Sequence, residues 1–387
     1  MSTVFIGLMS GTSLDGIDGV LADFESGGAG AAAPLRVLAH AHADFPPALR
    51  AELLALNHSS ADEIHRGALA ANALARACAG VVEALLAASG VARAEVVAIG
   101  CHGQTVRHRP TEFDGLGYTV QLGAPALLAE LTGIDVVADF RSRDVAAGGQ
   151  GAPLAPAFHR AVFATLGRAA AVLNLGGIAN LTAIDAEGST LGFDCGPANT
   201  LLDRWCAAST GWPFDAAGSW AATGRVDARL LAALLAEPYF ALAAPKSTGR
   251  DLFDEAWLEA RLAAAEARQR LAAQDIQATL AELTARTCAE ACRAYAPAAT
   301  EVIVCGGGAR NADLMARLAR LIAPKGLVAS GERGLPVDQV EAAAFAWLAR
   351  AFTRREPGNI ATVTGAAGPR LLGALYPAGR EPGARRT

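Results

Sequence analysis

Several residues that mark other protein classes are scarce in this sequence. Of its 33 cationic residues only two are lysines, Lys246 and Lys325, and the formal net charge is -5. A chain that binds nucleic acid usually carries a basic stripe, and none is visible here. The seven cysteines form no C-x-x-C pair, which fits a reducing cytoplasm better than a disulfide framework. Composition therefore argues against a nucleic-acid partner and for a cytoplasmic protein.

The sequence also lacks the motifs of several common enzyme classes. It has no G-x-x-x-x-G-K-S/T phosphate loop, no H-R-D kinase triplet, no H-E-x-x-H zinc motif and no G-x-S-x-G nucleophile elbow. The N-terminus has no charged segment ahead of an apolar one, so no signal peptide is expected. Apolar runs such as 69–89 contain polar breaks, which predict amphipathic helices rather than membrane spans. We therefore expect no membrane partner.

What the sequence does contain is a pattern that occurs twice. The apolar strand 4–9 runs into a glycine- and hydroxyl-rich turn and a returning strand, and 169–184 repeats this arrangement. Each half has a later apolar strand that ends in a glycine turn, at 96–105 and at 301–311. A chain of 387 residues is long enough for two α/β domains. The pattern predicts an α/β protein with two lobes of related topology.

Lobe boundaries are predicted from composition. The segment 141–153 is polar and rich in glycine, which is typical of a crossing between domains. We therefore expect a first lobe at 1–140 and a second at 141–359, with 360–387 rejoining the first.

The first turn, Gly11–Asp18, has the composition of a phosphate-binding loop. Glycines allow close approach of the backbone, and hydroxyl and N–H groups donate to phosphate oxygens. Tight hairpins also use glycine and aspartate for structural reasons, so this turn alone leaves both interpretations open. A second turn of similar composition, at 176–180, favours a nucleotide site.

Asp194 is the sharpest catalytic candidate. It lies where a strand gives way to a Gly-Pro turn, and a helix is expected to begin near Asn199, whose side chain is placed to cap it. A carboxylate held by a rigid turn can take a proton from a hydroxyl or a water. Loop aspartates more commonly serve as caps, so the residues alone leave base and cap as equal alternatives.

Other polar residues are weaker candidates. Arg141 and Arg143 suit paired hydrogen bonds to a carboxylate or a phosphate, although internal ion pairs are common in such loops. His102 and Gln104 follow a buried strand and can bind substrate hydroxyls or satisfy the turn. Glu341 opens an alanine-rich helix, where an acid favours the helix dipole in any case.

Taken together, these segments resemble one known family. They include G-L-M-S-G-T-S-L-D-G-I-D at 7–18, G-C-H-G-Q-T at 100–105, A-D-F-R at 138–141 and G-G-Q-G-A-P-L at 148–154. N-L-G-G-I-A-N-L-T comes next at 174–182, with further matches at 193–199, 246–250, 305–311, 341–347 and 363–366. In this order they are similar to the signatures of the anhydro-N-acetylmuramic acid kinases, over nearly the whole chain.

The resemblance implies a fold, a set of cofactors and a nucleotide site. The family belongs to the superfamily of sugar kinases, actin and heat-shock chaperones, which implies two actin-like (ribonuclease H-like) lobes around a central nucleotide cleft. It also implies ATP and Mg²⁺ as cofactors and a homodimer. The implied ATP-binding residues form two phosphate loops and an adenosine loop: Gly11, Thr12, Ser13, Leu14, Asp15, Gly16, Ile17, Asp18, Gly176, Gly177, Asn180, Gly306, Gly307 and Gly308.

The resemblance also implies the reaction. Water adds to the anomeric carbon of 1,6-anhydro-N-acetylmuramic acid, and the released 6-oxygen takes the γ-phosphoryl group of ATP. The products are N-acetylmuramic acid 6-phosphate and ADP, in peptidoglycan recycling. The superfamily usually has an aspartate where this chain has Met9, which implies that Asp15 or Asp18 holds the metal through water. Asp194 is the implied base, and the implied substrate-binding residues are His102, Gln104, Arg141, Arg143 and Glu341.

Two other functions stay open from the sequence. A related kinase that acts on an ordinary sugar hydroxyl would use Asp194 to deprotonate that hydroxyl and would consume no water. An actin- or chaperone-like ATPase would turn over ATP slowly without sugar and respond to a protein partner. The arginines at 141 and 143 favour a small acidic sugar over the ATPase.

Overall fold

The computed structural model describes residues 2–11, 14–24, 35–164, 167–249 and 252–379. The chain divides into two compact units. Unit 1 comprises Met1–Val162 and Gln339–Thr387, and unit 2 comprises Phe163–Asp338. Of the predicted site residues, Thr12 and Ser13 lie outside the described residues, as does the end of the predicted rejoining segment, 380–387.

The described residues form the following strands and helices. The strands are β1 (Val4–Met9), β2 (Gly16–Phe24), β3 (Leu35–Asp44), β4 (Val96–Cys101), β5 (Gln104–Pro110), β6 (Gly117–Leu122), β7 (Val136–Ala138), β8 (Ala170–Leu175), β9 (Ile178–Ile184), β10 (Thr190–Pro197), β11 (Glu301–Cys305), β12 (Gly326–Ala329) and β13 (Ala374–Tyr376). The helices are α1 (Pro47–Ala55), α2 (Glu63–Ser89), α3 (Pro125–Thr132), α4 (Ser142–Ala146), α5 (Ala155–Phe163), α6 (Asn199–Thr210), α7 (Ala228–Leu235), α8 (Pro238–Ala241), α9 (Glu255–Ala264), α10 (Ala267–Arg270), α11 (Ala273–Tyr295), α12 (Ala312–Ile322), α13 (Val340–Thr353) and α14 (Ala361–Thr364).

Unit 1 is built on a sheet with the strand order β13-β7-β4-β1-β2-β3. Helix α13 packs against the centre of this sheet at backbone contact distance. A Cβ atom added to Gly7 would lie 1.9 Å from the carbonyl oxygen of Ala342, and one added to Gly100 would lie 2.0 Å from that of Phe345. Only glycine permits this approach. The helix that begins at Val340 therefore belongs to unit 1, and its predicted place in the second lobe was wrong.

The segment after β7 also belongs to unit 1. The carboxylate of Asp144 is fully buried and accepts hydrogen bonds from Asn359 Nδ2 (2.6 Å) and Thr364 Oγ1 (2.7 Å). These bonds attach 141–162 to the C-terminal segment, because a buried carboxylate requires partners. The polar composition that predicted a crossing at 141–153 instead serves this buried network, and the chain crosses between units at Val162–Phe163.

Unit 2 repeats the topology of unit 1. Its strand order is β12-β11-β8-β9-β10, which corresponds to β7-β4-β1-β2-β3. In both sheets the first three strands of the unit are antiparallel neighbours, and the next strand is parallel to the first. The prediction of an α/β protein with two related lobes is confirmed.

Helix α2 is the longest helix of unit 1. By length and composition alone it could cross a bilayer, but half of its most apolar stretch is buried inside the protein. Leu74, Val82 and Leu85 on that face belong to the unit 1 core. This is the pattern of an amphipathic core helix.

Candidate active site

Asp194 lies on β10 in unit 2, and hydrogen bonds to Tyr239, Lys246 and Thr248 hold both its backbone and its carboxylate. Its N–H donates to the carbonyl of Lys246 (3.0 Å), and its carboxylate Oδ2 accepts the N–H of Thr248 (3.0 Å). Its own carbonyl accepts the hydroxyl of Tyr239 (2.8 Å). The segment 239–248 therefore fixes both the backbone and the carboxylate of Asp194.

Burial makes Asp194 a stronger base than an ordinary aspartate. Desolvation raises its pKa from 3.8 to about 6, and the hydrogen bond from Thr248 N–H opposes this shift. The group is ionised at neutral pH and its proton affinity is close to that required of a general base. The sequence left base and cap as alternatives, and Asp194 caps no helix in this structure.

The strap 246–248 is held in turn by Lys246. Its Nζ donates to the carbonyls of Tyr239 (3.0 Å) and Phe240 (3.1 Å) and lies 4.7 Å from the centre of the Tyr239 ring. The ammonium group is therefore committed to the strap, and burial lowers its pKa. Sequence reasoning assigned no structural role to Lys246 and missed Tyr239 and Thr248. The signal available was the family match at 246–250.

Two of the glycine segments predicted to bind ATP, 176–180 and 306–308, are neighbours within unit 2. A Cβ atom on Gly306, whose φ is +78°, would lie 2.3 Å from Asn174 Oδ1, and one on Gly308 would lie 2.6 Å from Leu175 Cβ. Leu175 leads directly into Gly176 and Gly177. The ends of β8 and β11 thus bring Gly176 and Gly306 to one edge of the sheet. Asn180 is the ladder partner of both Asn174 and Asp194.

The start of α6 differs from the prediction. The side chain of Asn199 does not cap the helix; its Nδ2 donates to the carbonyl of Leu175 (3.0 Å). The N–H groups of Asn199 and Thr200 donate to the carbonyls of Gly176 and Gly177. Asn199 therefore links helix and strand, because the turn carbonyls already satisfy the helix end. The hydroxyl of Thr200 is buried without a partner in the described residues, and sequence reasoning missed it.

In unit 1, the hairpin Gly11–Asp18 offers fewer side chains than predicted. Leu14 has a φ of +58°, and its N–H donates to the carbonyl of Gly11 (3.2 Å) in a tight turn. The side chains of Leu14 and Ile17 belong to the unit 1 core. Only their backbone groups are available to a nucleotide. Asp15 is exposed.

Asp18 is the direct ladder partner of Met9 across β1 and β2. Directly opposed residues of an antiparallel pair carry their side chains on the same face. Asp18 therefore presents its carboxylate on the same face of the sheet as the side chain of Met9. Its Oδ1 lies 2.9 Å from Nδ1 of His42.

Gln104 hydrogen-bonds to the hairpin Gly11–Asp18, and His102 hydrogen-bonds to Arg141. Gln104 is buried, and its Nε2 donates to the carbonyl of Gly11 (3.2 Å), so its amide nitrogen braces the hairpin instead of facing a substrate. His102 Nε2 accepts two N–H groups of Arg141, at 3.2 and 3.0 Å. Arg141 also donates to the carbonyl of Gly151 (2.8 Å). His102 and the half-buried Arg141 thus form one hydrogen-bonded pair.

The two predicted arginines differ in exposure and in hydrogen-bond partners. Burial lowers the pKa of Arg141 to about 10, while the charges of Glu341 and Asp144 oppose this, so the group stays cationic. Its N–H groups are largely committed to protein acceptors. Arg143 on α4 is exposed and has no ion pair among the described residues. Of the two, Arg143 is the cation that can bind a ligand. Glu341 lies in the first turn of α13 and is exposed.

No group of three or more His, Cys, Asp or Glu side chains within the described ranges could hold a metal ion by itself. Magnesium does not require such a cage, since it is commonly held by one or two carboxylates together with substrate phosphates. Asp18 and Asp15 fit that donor set.

Comparison with known proteins agrees with these observations. A sequence profile for the family described as anhydro-N-acetylmuramic acid kinase matches residues 3–378. The chain belongs to this family. An anhydro-N-acetylmuramic acid kinase from Variovorax paradoxus is 60% identical over 97% of this chain and 99% of its own length. One from Bordetella petrii is 61% identical over 97% of this chain and 96% of its own length.

A solved structure was also found to be similar to this family member. It is the activator of the 2-hydroxyisocaproyl-CoA dehydratase from Clostridium difficile with bound ADPNP, with a TM-score of 0.45 and 13% identity. The match covers 92% of this chain and 99% of that chain.

Proposed function

We propose that this protein is an ATP-dependent kinase that converts 1,6-anhydro-N-acetylmuramic acid and water into N-acetylmuramic acid 6-phosphate, with release of ADP. The observation that carries the proposal is the Asp194 carboxylate, desolvated and oriented by the strap, in a chain of this kinase family. An acetal opened by water needs such a base.

Asp194 has one task in this reaction. Its carboxylate takes a proton from the attacking water as the water oxygen bonds to the anomeric carbon. The bond between that carbon and the 6-oxygen breaks, and the 6-oxygen bonds to the γ-phosphorus of ATP as ADP leaves. A base of pKa about 6 is mostly ionised at pH 7.5 and still accepts a proton readily. The hydrogen bond from Thr248 N–H keeps the second carboxylate oxygen oriented.

The nucleotide is assigned to the glycine turns. Backbone N–H groups near Gly11, Gly176 and Gly306, with the unpartnered hydroxyl of Thr200, are the donors proposed for ATP. Phosphoryl transfer depends mainly on positioning and on charge stabilisation, which such donors supply. Gly307 and Gly308 are proposed to lie beside the adenosine.

Asp18, with Asp15 as the second carboxylate, is proposed to hold Mg²⁺ through water. The ion would neutralise charge on the transferring phosphoryl group. Asp18 is preferred because it lies opposite Met9, whereas Asp15 is exposed at the turn.

The sugar is assigned to residues of unit 1. Arg143 is the exposed cation proposed to bind the lactyl carboxylate, since a guanidinium can form two parallel hydrogen bonds to a carboxylate. His102 and Glu341 are proposed to contact the sugar. Arg141 is proposed to position His102, to which it donates two hydrogen bonds, and Gln104 to support the hairpin through the carbonyl of Gly11.

The cellular setting is inferred from the same reaction. We propose a cytoplasmic homodimer that acts in peptidoglycan recycling, with no nucleic-acid or membrane partner. The supporting observations are the net charge of -5, the cysteine pattern and the family.

Isotope labelling tests the proposed reaction most directly. The protein is incubated with Mg-ATP and 1,6-anhydro-N-acetylmuramic acid in ¹⁸O-labelled water, and the sugar phosphate is analysed by mass at early times. Label at the anomeric hydroxyl, with one ADP for each sugar phosphate, is the expected result.

Two outcomes would contradict the proposal. A sugar phosphate formed from ordinary hexoses without incorporation of label would indicate a conventional sugar kinase. ADP release that is independent of sugar and stimulated by a protein partner would indicate an actin- or chaperone-like ATPase.

A further inference from the structure

Two buried cysteines of unit 1 line the same cavity. All seven cysteines of the chain are free and buried, and two of them, Cys78 on α2 and Cys101 at the end of β4, are in the wall of a cavity of about 280 Å³. The exposed residues Val120, Gly123 and Asp139 also belong to the lining of this cavity. The cavity therefore reaches the protein surface, and a small solute can enter it and reach both thiols.

The thiols of Cys78 and Cys101 interact with each other. Both side chains belong to the unit 1 core. A hydrogen bond with the Cys78 thiol lowers the pKa of Cys101; burial opposes this shift, and the N–H of Gly103 supports it. The same hydrogen bond raises the pKa of Cys78, and burial raises it further. Because the thiolate is the nucleophilic form of cysteine, Cys101 is the more reactive member of the pair.

Unit 2 contains a second thiol pair, which serves as a comparison. Cys195 on β10 interacts with Cys288 on α11, and this hydrogen bond together with burial raises the pKa of Cys195. Both side chains are packed among the apolar residues of the unit 2 core. The unit 1 pair therefore combines a cavity with a thiol of lowered pKa, whereas in the unit 2 pair the thiol of Cys195 is kept protonated inside a packed core.

We propose that Cys78 and Cys101 form a modification site at which a small peroxide oxidises the two thiols to a disulfide. The Cys101 thiolate attacks a peroxide oxygen and breaks the O–O bond, which gives a sulfenic acid and, after proton uptake, water. The sulfur of Cys78 then bonds to the sulfur of Cys101, and its proton leaves with the hydroxyl as a second water. The thiols lose two electrons and two protons, and the peroxide is reduced to water.

The disulfide affects a part of unit 1 that is proposed to bind the sugar. Cys101 is followed directly by His102, which lines the same cavity. A covalent bond between α2 and the end of β4 narrows the cavity and displaces His102. This consequence rests on the proposed function, whereas the oxidation itself does not. We expect the KM for the sugar to rise by about tenfold on oxidation, with little change in kcat.

Mass spectrometry tests the oxidation. The full-length protein is treated with hydrogen peroxide and digested without reductant, and the cysteine peptides are quantified over time. A peptide that joins Cys78 to Cys101, with two hydrogens lost, should form at least about tenfold faster than one that joins Cys195 to Cys288. Treatment with dithiothreitol should restore both thiols and the KM for the sugar. Disulfides of this kind in cytosolic proteins are usually transient.

Two matched variants assign the roles within the pair. Cys78→Ala and Cys288→Ala each remove a buried thiol from a helix. Cys78→Ala should form no disulfide and should leave Cys101 as a sulfenic acid, which the 1,3-diketone dimedone captures. Cys288→Ala should form the disulfide between Cys78 and Cys101 at the wild-type rate. Thermal unfolding of each variant confirms that it is folded.

The outcomes separate this proposal from the proposed function. Unmodified Cys101 in wild-type protein, or equal rates of oxidation for the two pairs, would overturn the modification site. Oxidised Cys101 without a peptide that joins it to Cys78 would overturn the disulfide. A disulfide that leaves the KM for the sugar unchanged would overturn its effect on binding. If the reduced protein releases no ADP in response to sugar, the proposed function fails, while a joined peptide would still support the modification site.

Discussion

The two sheets have the same strand order, yet equivalent positions carry different chemistry. In unit 1 a row of ladder partners runs Met9, Asp18 and His42 across β1, β2 and β3. In unit 2 the row across β8, β9 and β10 is Asn174, Asn180 and Asp194. Each row holds one carboxylate, on the second strand in unit 1 and on the third strand in unit 2.

The surroundings of the two carboxylates differ more than their positions. Asp18 is half-buried and lies beside two imidazoles, His42 at 2.9 Å and His40 at 3.5 Å. Burial lowers the pKa of His42, but the hydrogen bonds and charges of Asp18 and Asp44 raise it by more. The net shift of the His42 pKa is therefore upward. For Asp194, by contrast, desolvation is the largest influence on the pKa.

The difference originates in the segment after the third strand of each unit. After β3 the chain enters α1, and the edge of the sheet in unit 1 stays half-exposed. After β10 a long helical insertion returns through Tyr239 and the strap 246–248, and covers Asp194. The shared fold therefore supplies the strand ends, while the insertion supplies the desolvation that raises the pKa of Asp194. We expect unit 2 variants to change kcat and unit 1 variants to change KM.

The largest effect is expected from Asp194→Asn. Turnover should fall by about 10³-fold or more, because an amide cannot accept the proton of the attacking water. The Kd values for ATP and the sugar should change little, since Asn retains an acceptor for Thr248 N–H. Steady-state kinetics and calorimetry measure the two quantities. Glu290→Gln, an exposed charge removal on α11, is the control; near-normal turnover in Asp194→Asn would remove this residue as the base.

The pH dependence sharpens the contrast between the two carboxylates. The base must be ionised, and burial raises the pKa of Asp194 to about 6. The value of kcat/KM should therefore fall by about tenfold for each pH unit below 6. An ordinary aspartate would show this fall only near pH 4. A rate that is flat down to pH 4.5 would contradict the assignment.

Arg143→Gln tests the unit 1 side of the comparison. The KM for the lactyl-bearing sugar should rise by about tenfold with little change in kcat, because an exposed guanidinium that binds a carboxylate is lost. A carboxylate-free anhydro-sugar should be affected much less. Arg354→Gln removes another exposed arginine of unit 1 and serves as control. Equal loss with both sugars would refute the carboxylate role.

Asp18→Asn and Asp15→Asn separate the two candidate metal carboxylates. Asp18 lies opposite Met9 and is held by His42, so its loss should raise the Mg²⁺ concentration for half-maximal rate several-fold. Asp15 is exposed, and its amide variant should shift this concentration less. Titration of the rate with Mg²⁺ at fixed ATP measures both. A larger shift for Asp15→Asn would reverse the assignment.

The smallest expected effect concerns stability. The pKa of Asp194 is higher in the folded state than its ordinary value of 3.8, so the unfolded chain loses this proton first as pH rises. Ionised Asp194 therefore reduces the free energy of unfolding, by an amount that grows between pH 4 and 6 and is complete above pH 6. The shift corresponds to about 3 kcal/mol. Because an amide is a weaker acceptor for Thr248 N–H than a carboxylate, Asp194→Asn should be more stable at pH 7.5 by only about 1 kcal/mol, and nearly equal in stability at pH 4. Denaturant unfolding at both pH values checks this; a destabilised variant at pH 7.5 would contradict it.

Much of the fold was predictable from local pattern. Apolar strands followed by glycine turns occur in both halves, and the structure confirms two related lobes. The place of α13 was not predictable, because it depends on Gly7 and Gly100 allowing a helix from the far end of the chain to touch the sheet. The same holds for Asn199, whose side chain was expected to cap α6 and instead donates to Leu175.

Three features could be read from the amino-acid sequence alone: the repeated strand-and-turn pattern, the family, and the candidate carboxylate at Asp194. These features depend on residues close together in the chain, where apolar strand patterns and turn residues can be recognised directly. Three further features required the folded structure: the desolvation of Asp194, the hydrogen bond from Gln104 to the hairpin, and the exposure of Arg143 rather than Arg141. Desolvation and hydrogen-bond satisfaction depend on distant partners, such as Thr248, 54 residues from Asp194. Local pattern carries no information on which distant group covers a side chain.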